Sequence, residues 1–232
     1  LNQLRVSEFA QVTASDAPAP GRGSVSALAG ALAAALAEMV AHLTAGREKY
    51  AAAQEEMAAL LEELPPLRQK LLCAVDRDSR AFDRYMEALT MPKATPEEQA
   101  ARKAAMEEGL KEAAQVPMEV AETVASLFPA LETVVLRGNP NAVTDGMVGA
   151  MLARTAVLGA LFNVRVNLDS IHDSHFTAAL AARADAAQEL ALSSVSHRPG
   201  RYAVINTLTS KSPAAIRSGL HRSGLRQGLF QR

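Results

Sequence analysis

The sequence predicts an all-α protein, a helical bundle in which two central apolar helices are surrounded by about five or six others. Apolar residues recur at helical spacing along the first 195 residues, and no strand pattern of any length occurs before residue 200. Aromatic residues are 4% of the 232 residues and Trp is absent, so the core consists mainly of Ala, Leu, Val and Met. That composition suits close helix packing better than a sheet, in which β-branched and aromatic residues are enriched.

The N-terminal segment combines a short helix with a glycine-containing loop. Residues 1–14 form the first predicted helix, which ends before prolines at positions 18 and 20. Gly21, Arg22, Gly23 and Ser24 follow and lead into the next helix. Unpaired backbone N–H groups and the helix dipole both favour negative charge at a helix N-terminus. This loop is therefore a candidate cradle for a carboxylate or a phosphate.

Residues 25–44 are predicted to form the first central helix. Glu38 is the only formal charge between Arg22 and Arg47, and the face opposite the leucines consists of Ala, Gly and Ser. A helix that is apolar or small on every side belongs at the centre of a bundle. About twenty apolar residues would also span a bilayer, but the weak hydrophobicity of Ala and the presence of Glu38 and His42 favour a buried helix. The leucine face has spacings of four, four, three and four: Leu28, Leu32, Leu36, Met39 and Leu43.

The segment 51–89 is predicted to form two helices, 51–64 and 67–89, interrupted by Pro65 and Pro66. In the second, Asp78 occupies an apolar position of one helical stripe. A carboxylate among apolar side chains is costly unless it is paired, hydrogen-bonded or protonated. Asp78 is therefore either a core residue that caps a neighbouring backbone or an acid/base group with a raised pKa in a pocket. The stripe consists of Leu67, Leu71, Val75, Asp78, Phe82, Tyr85 and Leu89.

Three more helices are predicted around the centre. Thr95 is placed to cap a charged helix of about residues 96–115, whose first turn contains Pro96, Glu97 and Glu98. Pro117 opens the next helix, which Pro129 is expected to bend. The last spans about residues 174–195.

A polar loop at 137–145 precedes the second central helix, residues 146–168. This helix carries only Arg154 and Arg165 as charges. Asn163 and Asn167 lie one turn apart on its inner face. Two amides in that position need partners, which are either neighbouring helices or the edge of a heteroaromatic ligand.

The charge distribution divides the chain into a helical domain, residues 1–195, and a basic tail, residues 196–232. Seven of the 24 lysines and arginines lie in the tail and all 25 acidic residues precede it, so residues 1–195 carry a formal charge of −8. The acidic body argues against nucleic-acid binding. The tail is expected to be a disordered appendage, with a basic docking or RNA-contacting segment as the alternative.

Cysteine usage and the N-terminal segment predict a cytoplasmic location. Cys73 is the single cysteine, which excludes an internal disulfide and a cysteine-based metal cluster and fits a reducing compartment. The first 20 residues have no apolar stretch of the kind that a signal peptide needs.

Six segments in order resemble the formiminotransferase-cyclodeaminase family, specifically its cyclodeaminase domain, which related methenyltetrahydrofolate cyclohydrolases share. The resemblance covers about residues 6–188. The matching segments are Ala-Pro-Gly-Arg-Gly-Ser-Val at 19–25, Val-Asp-Arg-Asp at 75–78 with Ala81 and Phe82, Met-Pro-Lys-Ala-Thr-Pro-Glu-Glu at 91–98, Val116 with Pro117, Gly-Asn-Pro-Asn at 138–141 with Thr144 and Asp145, and Asn-Val-Arg-Val-Asn-Leu at 163–168 with Ile171 and Asp173.

One departure from the family pattern concerns the loop before the first central helix. The family usually has three consecutive glycines where this chain has Gly21, Arg22 and Gly23. If the middle position needs a positive φ, arginine there is strained by roughly 1 kcal/mol or more. If it does not, the guanidinium of Arg22 could clamp a glutamate carboxylate of the substrate.

The resemblance implies an enzyme that closes 5-formiminotetrahydrofolate to 5,10-methenyltetrahydrofolate and releases ammonia, a lyase step of histidine degradation. It implies no metal and no cofactor, since the folate is the substrate. The family's proposed acid/base aspartate falls at Asp78, the residue that the helical stripe also singles out. Asn139, Asn141, Asp145, Asn163 and Asn167 are then candidates to hold the pterin and to orient Asp78. Candidates for the anionic glutamate tail are Gly21, Arg22, Gly23, Ser24 and Lys93.

The expected partners are a folate, with or without a polyglutamate tail, and further copies of the chain in a homodimer or larger homo-oligomer. A formiminotransferase domain is a third, as a fusion partner. Neither nucleic acid nor a membrane is expected. Two alternatives remain open: a methenyltetrahydrofolate cyclohydrolase on the same fold, and a non-catalytic helical oligomerisation domain. The sequence of residues 121–127 is slightly more similar to the cyclodeaminase branch of the family than to the cyclohydrolase branch.

Overall fold

The structure, a computed structural model, describes residues 1–193. In this part of the chain the apolar repeats of the sequence fold as helices. That range contains seven α-helices, two short 3-10 helices and no strand, which confirms the all-α class. The predicted basic tail, 196–232, lies outside the described residues. The helices are α1 (Val6–Thr13), α2 (Arg22–Thr44), α3 (Gln54–Thr90), α4 (Pro96–Ala125), α5 (Phe128–Arg137), α6 (Val143–Leu168) and α7 (Ser174–Ser193), with 3-10 helices at Glu48–Ala53 and Pro140–Ala142.

Helices α2 and α6 form the central antiparallel pair. Ser26 of α2 lies against Gly159 of α6, and Ala33 lies against Gly149, so residue numbers rise along one helix and fall along the other. Glycine at these two positions lets the backbones approach closely: a Cβ on Gly159 would lie 2.5 Å from Ser26 Oγ. Helices α3, α4 and α5 pack against this pair, which confirms that α2 and α6 are central.

Helix α3 packs on α2 in the antiparallel direction, and α4 packs on both α3 and α6. Leu71 of α3 and Val124 of α4 both contact Gly30 of α2. Further along, Gly109 of α4 lies against the backbone of Tyr85 in α3. The buried core is built largely from alanines, because small side chains allow this close packing. They include Ala27, Ala31, Ala33, Ala34, Ala37 and Ala41 of α2 and Ala153, Ala156 and Ala160 of α6.

The prolines interrupt the helices less than predicted. The two helices expected at 51–64 and 67–89 are one continuous helix, α3, with Pro65 and Pro66 inside it. Two prolines remove backbone hydrogen bonds at a cost of roughly 3 kcal/mol each. The buried side chains of Leu64 before them and Leu71 after them hold both halves on the same core.

A second difference concerns the segment after residue 96. The helices predicted at 96–115 and from 117 onwards are also continuous, and Pro117 lies within α4. The chain breaks instead at Ser126 and Leu127, so that Pro129 occupies the first turn of α5 and bends no helix. Proline is tolerated in a first turn because its missing N–H has no helical partner there.

One side of the central pair is exposed, whereas the sequence predicted that residues 25–44 would be covered all round. The exposed apolar side chains of the two helices are here named together the α2–α6 face. By length and composition α2 and the segment 140–168 would each qualify as a membrane span, a test that core helices of bundles also pass. The face consists of Val25, Leu32 and Met39 on α2 and Val148, Met151, Phe162 and Val166 on α6.

Candidate functional site

Asp78 lies where the first turn of α2, the middle of α3 and the C-terminal half of α6 meet. Its carboxylate is partly buried and accepts two hydrogen bonds. Ser24 Oγ donates to Oδ2 over 3.0 Å, and Asn163 Nδ2 donates to Oδ1 over 3.1 Å. Each carboxylate oxygen is therefore oriented by a different helix. The structure thus brings together three of the residues singled out in the sequence.

Ser24 connects Asp78 to the backbone of α3. Its hydroxyl is fully buried and lies 3.1 Å from the carbonyl oxygen of Val75 as well as 3.0 Å from Asp78. One hydroxyl proton is shared between these two acceptors. Ser79 Oγ lies 3.4 Å from Ser24 Oγ, close enough to donate to it. Ser79 is a site residue that sequence analysis missed, since it lies off the apolar stripe.

Asn163 is held by donors from two directions. Its Oδ1 accepts from Arg22 Nε over 2.8 Å and from Asn167 Nδ2 over 3.3 Å. Asn167 Nδ2 also donates to the carbonyl oxygen of Ala113 in α4, over 2.8 Å. The two amides on the inner face of α6 therefore find partners within the protein. Because both donors bind its oxygen, Asn163 presents its N–H₂ group to Asp78.

Position 23 must be a glycine because the Asp78 carboxyl group occupies the space that a side chain there would need. A Cβ at this position would collide with the carboxyl group of Asp78 and would lie 2.6 Å from Asn163 Nδ2. Arg22 beside it is the first residue of α2 and has helical backbone geometry. The strain that a positive φ would impose on arginine therefore does not arise. Among the described residues the glycine with a positive φ is Gly46, which follows the end of α2.

The pKa of Asp78 is raised above its ordinary value. Burial is the largest cause, because a partly desolvated carboxylate loses hydration. Three interactions oppose it, namely the hydrogen bonds from Ser24, the positive charge of Arg22 and the hydrogen bond from Asn163. A carboxyl group of this kind exchanges protons nearer to neutral pH than an exposed Asp does, as a general acid or base must.

Asp78 opens onto a cleft of about 120 Å³. This volume suits the reacting part of a ligand, since whole drug-sized ligands need roughly 300 Å³ or more. Arg22 and Asp78 are the charged residues among the described side chains that line it. The lining consists of Pro18, Ala19, Gly21, Arg22, Gly23, Asp78, Ser79, Phe82, Ala113, Asn163 and Asn167.

Asn139 and Asn141 lie at the other end of the central pair. Asn139 is buried, accepts from Tyr50 Oη over 2.6 Å and donates from Nδ2 to the carbonyl oxygen of Leu43 over 3.3 Å. Asn141 donates its backbone N–H to Asn139 Oδ1. Helix α2, about 34 Å long, separates this cluster from Asp78. The contacts of Asn139 are those of a residue that ties the end of α2 to the loop before α6.

Asp145 and Lys93 are also distant from Asp78 within one chain. Asp145 is in the first turn of α6, 18 residues before Asn163 and hence about 27 Å away along the helix. Lys93 is exposed in the loop after α3. The structure therefore groups Gly21, Arg22, Gly23, Ser24, Asn163 and Asn167 with Asp78. It does not group Lys93, Asn139, Asn141 and Asp145 with them.

A larger recess, of about 760 Å³, lies between α3 and α4 near the start of α7. Its described lining contains none of the candidate site residues, and its cationic groups are paired. Arg84 binds Glu112 and Lys111 binds Glu108 and Asp173. Within residues 1–193, no group of three or more His, Cys, Asp or Glu side chains could hold a metal ion.

Comparison with known proteins gives consistent matches. A family model described as formiminotransferase-cyclodeaminase matches residues 5–186. The formimidoyltransferase-cyclodeaminase of Sus scrofa is 42% identical over 175 residues, which are 75% of this chain and 32% of that protein. The methenyltetrahydrofolate cyclohydrolase of Methylorubrum extorquens is 36% identical over 171 residues, 74% of this chain and 82% of that protein.

A solved structure matches over nearly its whole length. The formiminotetrahydrofolate cyclodeaminase of Thermotoga maritima superposes with a TM-score of 0.74 at 29% identity and covers 89% of this chain and 96% of its own. The chain spans about a third of the length of the animal relatives that it matches.

Proposed function

Because the chain belongs to the formiminotransferase-cyclodeaminase family, we propose that it acts on a folate as a formimidoyltetrahydrofolate cyclodeaminase. The observation that carries the proposal is the Asp78 carboxylate. It is partly buried, has a raised pKa and is oriented by Ser24 and Asn163 at the mouth of a cleft. A proton-transfer group with these properties is what the ring closure needs.

In the proposed reaction N10 of the folate attacks the formimino carbon that N5 already carries. The N10–C bond forms, and Asp78 takes the N10 proton and delivers it to the former imine nitrogen. With one further proton from solvent, the C–N bond to that nitrogen breaks and ammonia leaves. Ring closure is intramolecular, so positioning supplies much of the acceleration and no metal or cofactor is required. The cationic methenyl product is stabilised by the Asp78 carboxylate.

The cleft suggests how the rest of the substrate would be held. Asn163 and Asn167 lie beside Asp78 and offer amide groups to the pterin edge. The Nε of Arg22 is bound to Asn163, and its two terminal amino groups would bind an anionic glutamate tail. Lys93, Asn139, Asn141 and Asp145 cannot join this cleft from the same chain. They would contribute only from another copy.

A cyclohydrolase activity on 5,10-methenyltetrahydrofolate is the second candidate. A specific observation favours it: the Methylorubrum extorquens relative matches this chain over 82% of its own length and is a methenyltetrahydrofolate cyclohydrolase. In that reaction water adds to the methenyl carbon and the C–N bond to N5 or N10 breaks, which leaves a formyltetrahydrofolate. The Asp78 carboxylate would take one water proton and pass it to the departing ring nitrogen, and the other proton is released to solvent.

Turnover assays with the two folates test the proposal. We expect purified protein to form the methenyl chromophore and ammonia from 5-formiminotetrahydrofolate faster than the spontaneous reaction does. Loss of the methenyl chromophore in the second assay would instead assign the cyclohydrolase reaction. If folded protein accelerates neither reaction, the enzymatic assignment is wrong, whether or not the protein binds a folate polyglutamate.

Asp78→Asn measures the contribution of the carboxylate. We expect turnover to fall by about 100-fold or more, the usual loss when a general acid/base is removed. Asp83→Asn is the matched control, because Asp83 lies on the same helix but is exposed. Equal turnover of the two variants would remove Asp78 from the mechanism.

We also propose that the chain forms a homodimer or larger homo-oligomer through the α2–α6 face. Two adjacent helices, each about 34 Å long, present a surface of roughly 700 Å² per copy. This area is close to the surface of about 800 Å² that each partner buries in a stable interface. The exposed positions of α2 recur every seven residues, at Val25, Leu32 and Met39, and this spacing suits pairing with another helix.

The cellular setting follows from the proposed reaction. A cyclodeaminase would serve histidine degradation in the cytoplasm and use the 5-formiminotetrahydrofolate that a formiminotransferase makes. The animal relatives are named for both activities and are about three times longer than the matched region. A formiminotransferase domain, fused or separate, is therefore the proposed upstream partner.

A further inference from the structure

Arg22 makes a contact that a glycine in its place could not make. Its Nε donates to Asn163 Oδ1 over 2.8 Å, across 141 residues of chain and between α2 and α6. Asn163 in turn donates from Nδ2 to Asp78 Oδ1 over 3.1 Å. Arg22, Asn163 and Asp78 thus form a continuous chain of hydrogen bonds across three helices. In the sequence pattern that this chain resembles, the middle loop position is usually glycine.

The direction of these hydrogen bonds decides what Arg22 does. An asparagine amide has an acceptor end and a donor end, and the donor end must face a carboxylate. Arg22 has no acceptor, so its Nε can bind only the oxygen of Asn163. That bond leaves the N–H₂ end towards Asp78 whether or not Asp78 is protonated. Asn167 supports the same orientation, but from 3.3 Å and while also bonded to Ala113.

The charge of Arg22 acts in the same direction as its hydrogen bond. Among the described residues around the cleft, α3 contributes Asp78, Ser79 and Phe82, α4 contributes Ala113, and α6 contributes Asn163 and Asn167. None of these except Asp78 is ionisable in the ordinary range, and Arg22 of α2 is the cation of the set. Its positive charge opposes the effect of burial and favours the carboxylate form of Asp78.

We propose that Arg22 is a positioning residue of the candidate site, which acts through Asn163 to orient Asp78 and to keep it available as a proton acceptor. This inference deepens the proposed function, and its kinetic readout rests on that function. It differs from tail binding, in which Arg22 contacts the glutamate carboxylate of the substrate directly. The two roles change different measured quantities.

Three variants separate positioning from tail binding. Arg22→Met removes the hydrogen bond and the charge, Arg22→Lys keeps the charge but not the fork geometry, and Asn163→Ala removes the link between Arg22 and Asp78. For positioning, we expect kcat of Arg22→Met to fall by about tenfold to a hundredfold and the acid limb of the kcat profile to move to higher pH. Arg22→Lys should recover the position of the limb better than it recovers kcat.

The outcome of the kinetics decides between the roles. If Arg22→Met raises KM for a polyglutamated folate while kcat and the acid limb stay unchanged, Arg22 binds the tail only and the inference is wrong. If Asn163→Ala in combination with Arg22→Met lowers kcat no further than Asn163→Ala alone, the two residues act as one unit, as proposed. Additive losses would contradict the proposed route through Asn163.

A readout without substrate keeps the inference testable if neither folate reacts. In protein with ¹³C-labelled aspartate carboxyl groups, the Asp78 signal is identified by its absence from Asp78→Asn. We expect the midpoint of its titration to rise in Arg22→Met and to rise less in Arg22→Lys. An unchanged midpoint in a variant that melts as the parent does would overturn the inference, independently of any activity.

Discussion

At the scale of single residues, the site depends on how closely Asp78 and Asn163 approach the start of α2. Gly23 leaves the space that the Asp78 carboxyl group fills, and Ser24 supplies the hydroxyl that binds it. Neither requirement arises from the conformation of the loop, which is helical from Arg22 onwards. The glycine is needed because α3 comes within contact distance of α2 at this point.

Gly23→Ala tests this reading by its dependence on Asp78. The added methyl group should overpack the site and lower the free energy of unfolding by about 1–3 kcal/mol. In an Asp78→Ala background the collision partner is gone, so we expect the loss to be smaller. Urea unfolding of the four proteins of this cycle measures the difference. An equal loss in both backgrounds would show that the carboxyl group is not what excludes a side chain.

The raised pKa of Asp78 predicts how stability changes with pH. The folded state holds the proton of the Asp78 carboxyl group more tightly than the unfolded state does, in which the pKa of Asp is near 3.8. Between these two pKa values the folded state binds more protons, so the contribution of Asp78 to stability is lost as pH rises through the folded value. Relative to Asp78→Asn, the wild type should therefore become less stable as pH rises from 3.8 through the pKa of Asp78 in the folded state.

Urea unfolding of both proteins across this range gives the difference directly. Asp83→Asn is the control, since it removes an acid from an exposed position of the same helix. A difference that grows in favour of the wild type with rising pH would mean that hydrogen bonds from Ser24 and Asn163 outweigh burial.

At the scale of helices, one charged pair joins α2 to α3. Glu38 is the charge that sequence analysis found within an otherwise apolar helix, and its side chain is buried. Arg68 of α3 donates from Nε to Glu38 Oε1 over 2.7 Å and from Nη2 to Oε2 over 3.3 Å. The two-point geometry and the burial make this pair a fixed contact between the helices.

Removal of Arg68 should destabilise the bundle. Arg68→Ala leaves the Glu38 carboxylate buried without its partner, and we expect a loss of about 2 kcal/mol in the free energy of unfolding. The estimate allows for water at Arg68, whose side chain is 34% exposed. Arg84→Ala, which breaks an ion pair with Glu112 at 64% exposure of Arg84, should cost less than about 1 kcal/mol.

The comparison of these two variants by urea unfolding checks the burial argument. Replacing both partners together, as Glu38→Met with Arg68→Met, should restore most of the stability, because no unpaired charge remains. If Arg68→Ala and Arg84→Ala cost the same, the Glu38 pair is a surface interaction in energetic terms.

At the scale of the whole molecule, the exposed α2–α6 face predicts self-association. Leu32 is 49% exposed and Phe162 is 62% exposed, although both lie on helices that are otherwise apolar. Leu32→Glu places a charge in the middle of the face and should convert an oligomer into monomers, as measured by size-exclusion chromatography with light scattering. The position lies about two helical turns from Ser24, the partner of Asp78, so the fold of the cleft should be preserved.

Val6→Glu is the matched control for this experiment. Val6 is a more exposed apolar residue, at 88%, but belongs to α1 and not to the face. We expect it to leave the oligomeric state unchanged. A wild-type protein that is monomeric at all concentrations would show that the face is not an interface between copies.

Much of the architecture was predictable because helical periodicity is a local property. The spacing of leucines identified α2, the capping pattern at Thr95 located the start of α4, and the scarcity of charge marked α6. Asp78 was predictable for the same reason, as an acid in an apolar stripe. The helix breaks predicted at Pro65, Pro66 and Pro117 were wrong. The backbone hydrogen bonds lost at these prolines are outweighed by contacts between residues far apart in sequence.

The sequence by itself determined the fold class, the central pair of helices and the single acid that merits a catalytic test. Tertiary structure alone decided which polar residues accompany Asp78. Asn163 and Asn139 look alike in sequence, as amides in polar or inner positions. The antiparallel arrangement of α2 and α6 brings Asn163 to the start of α2, beside Arg22, and Asn139 to its end, beside Thr44. It also made Arg22 a neighbour of Asn163 and, within residues 1–193, left the α2–α6 face exposed. The physical reason is that side-chain periodicity is written along one helix, whereas distances across a bundle depend on how all the helices pack.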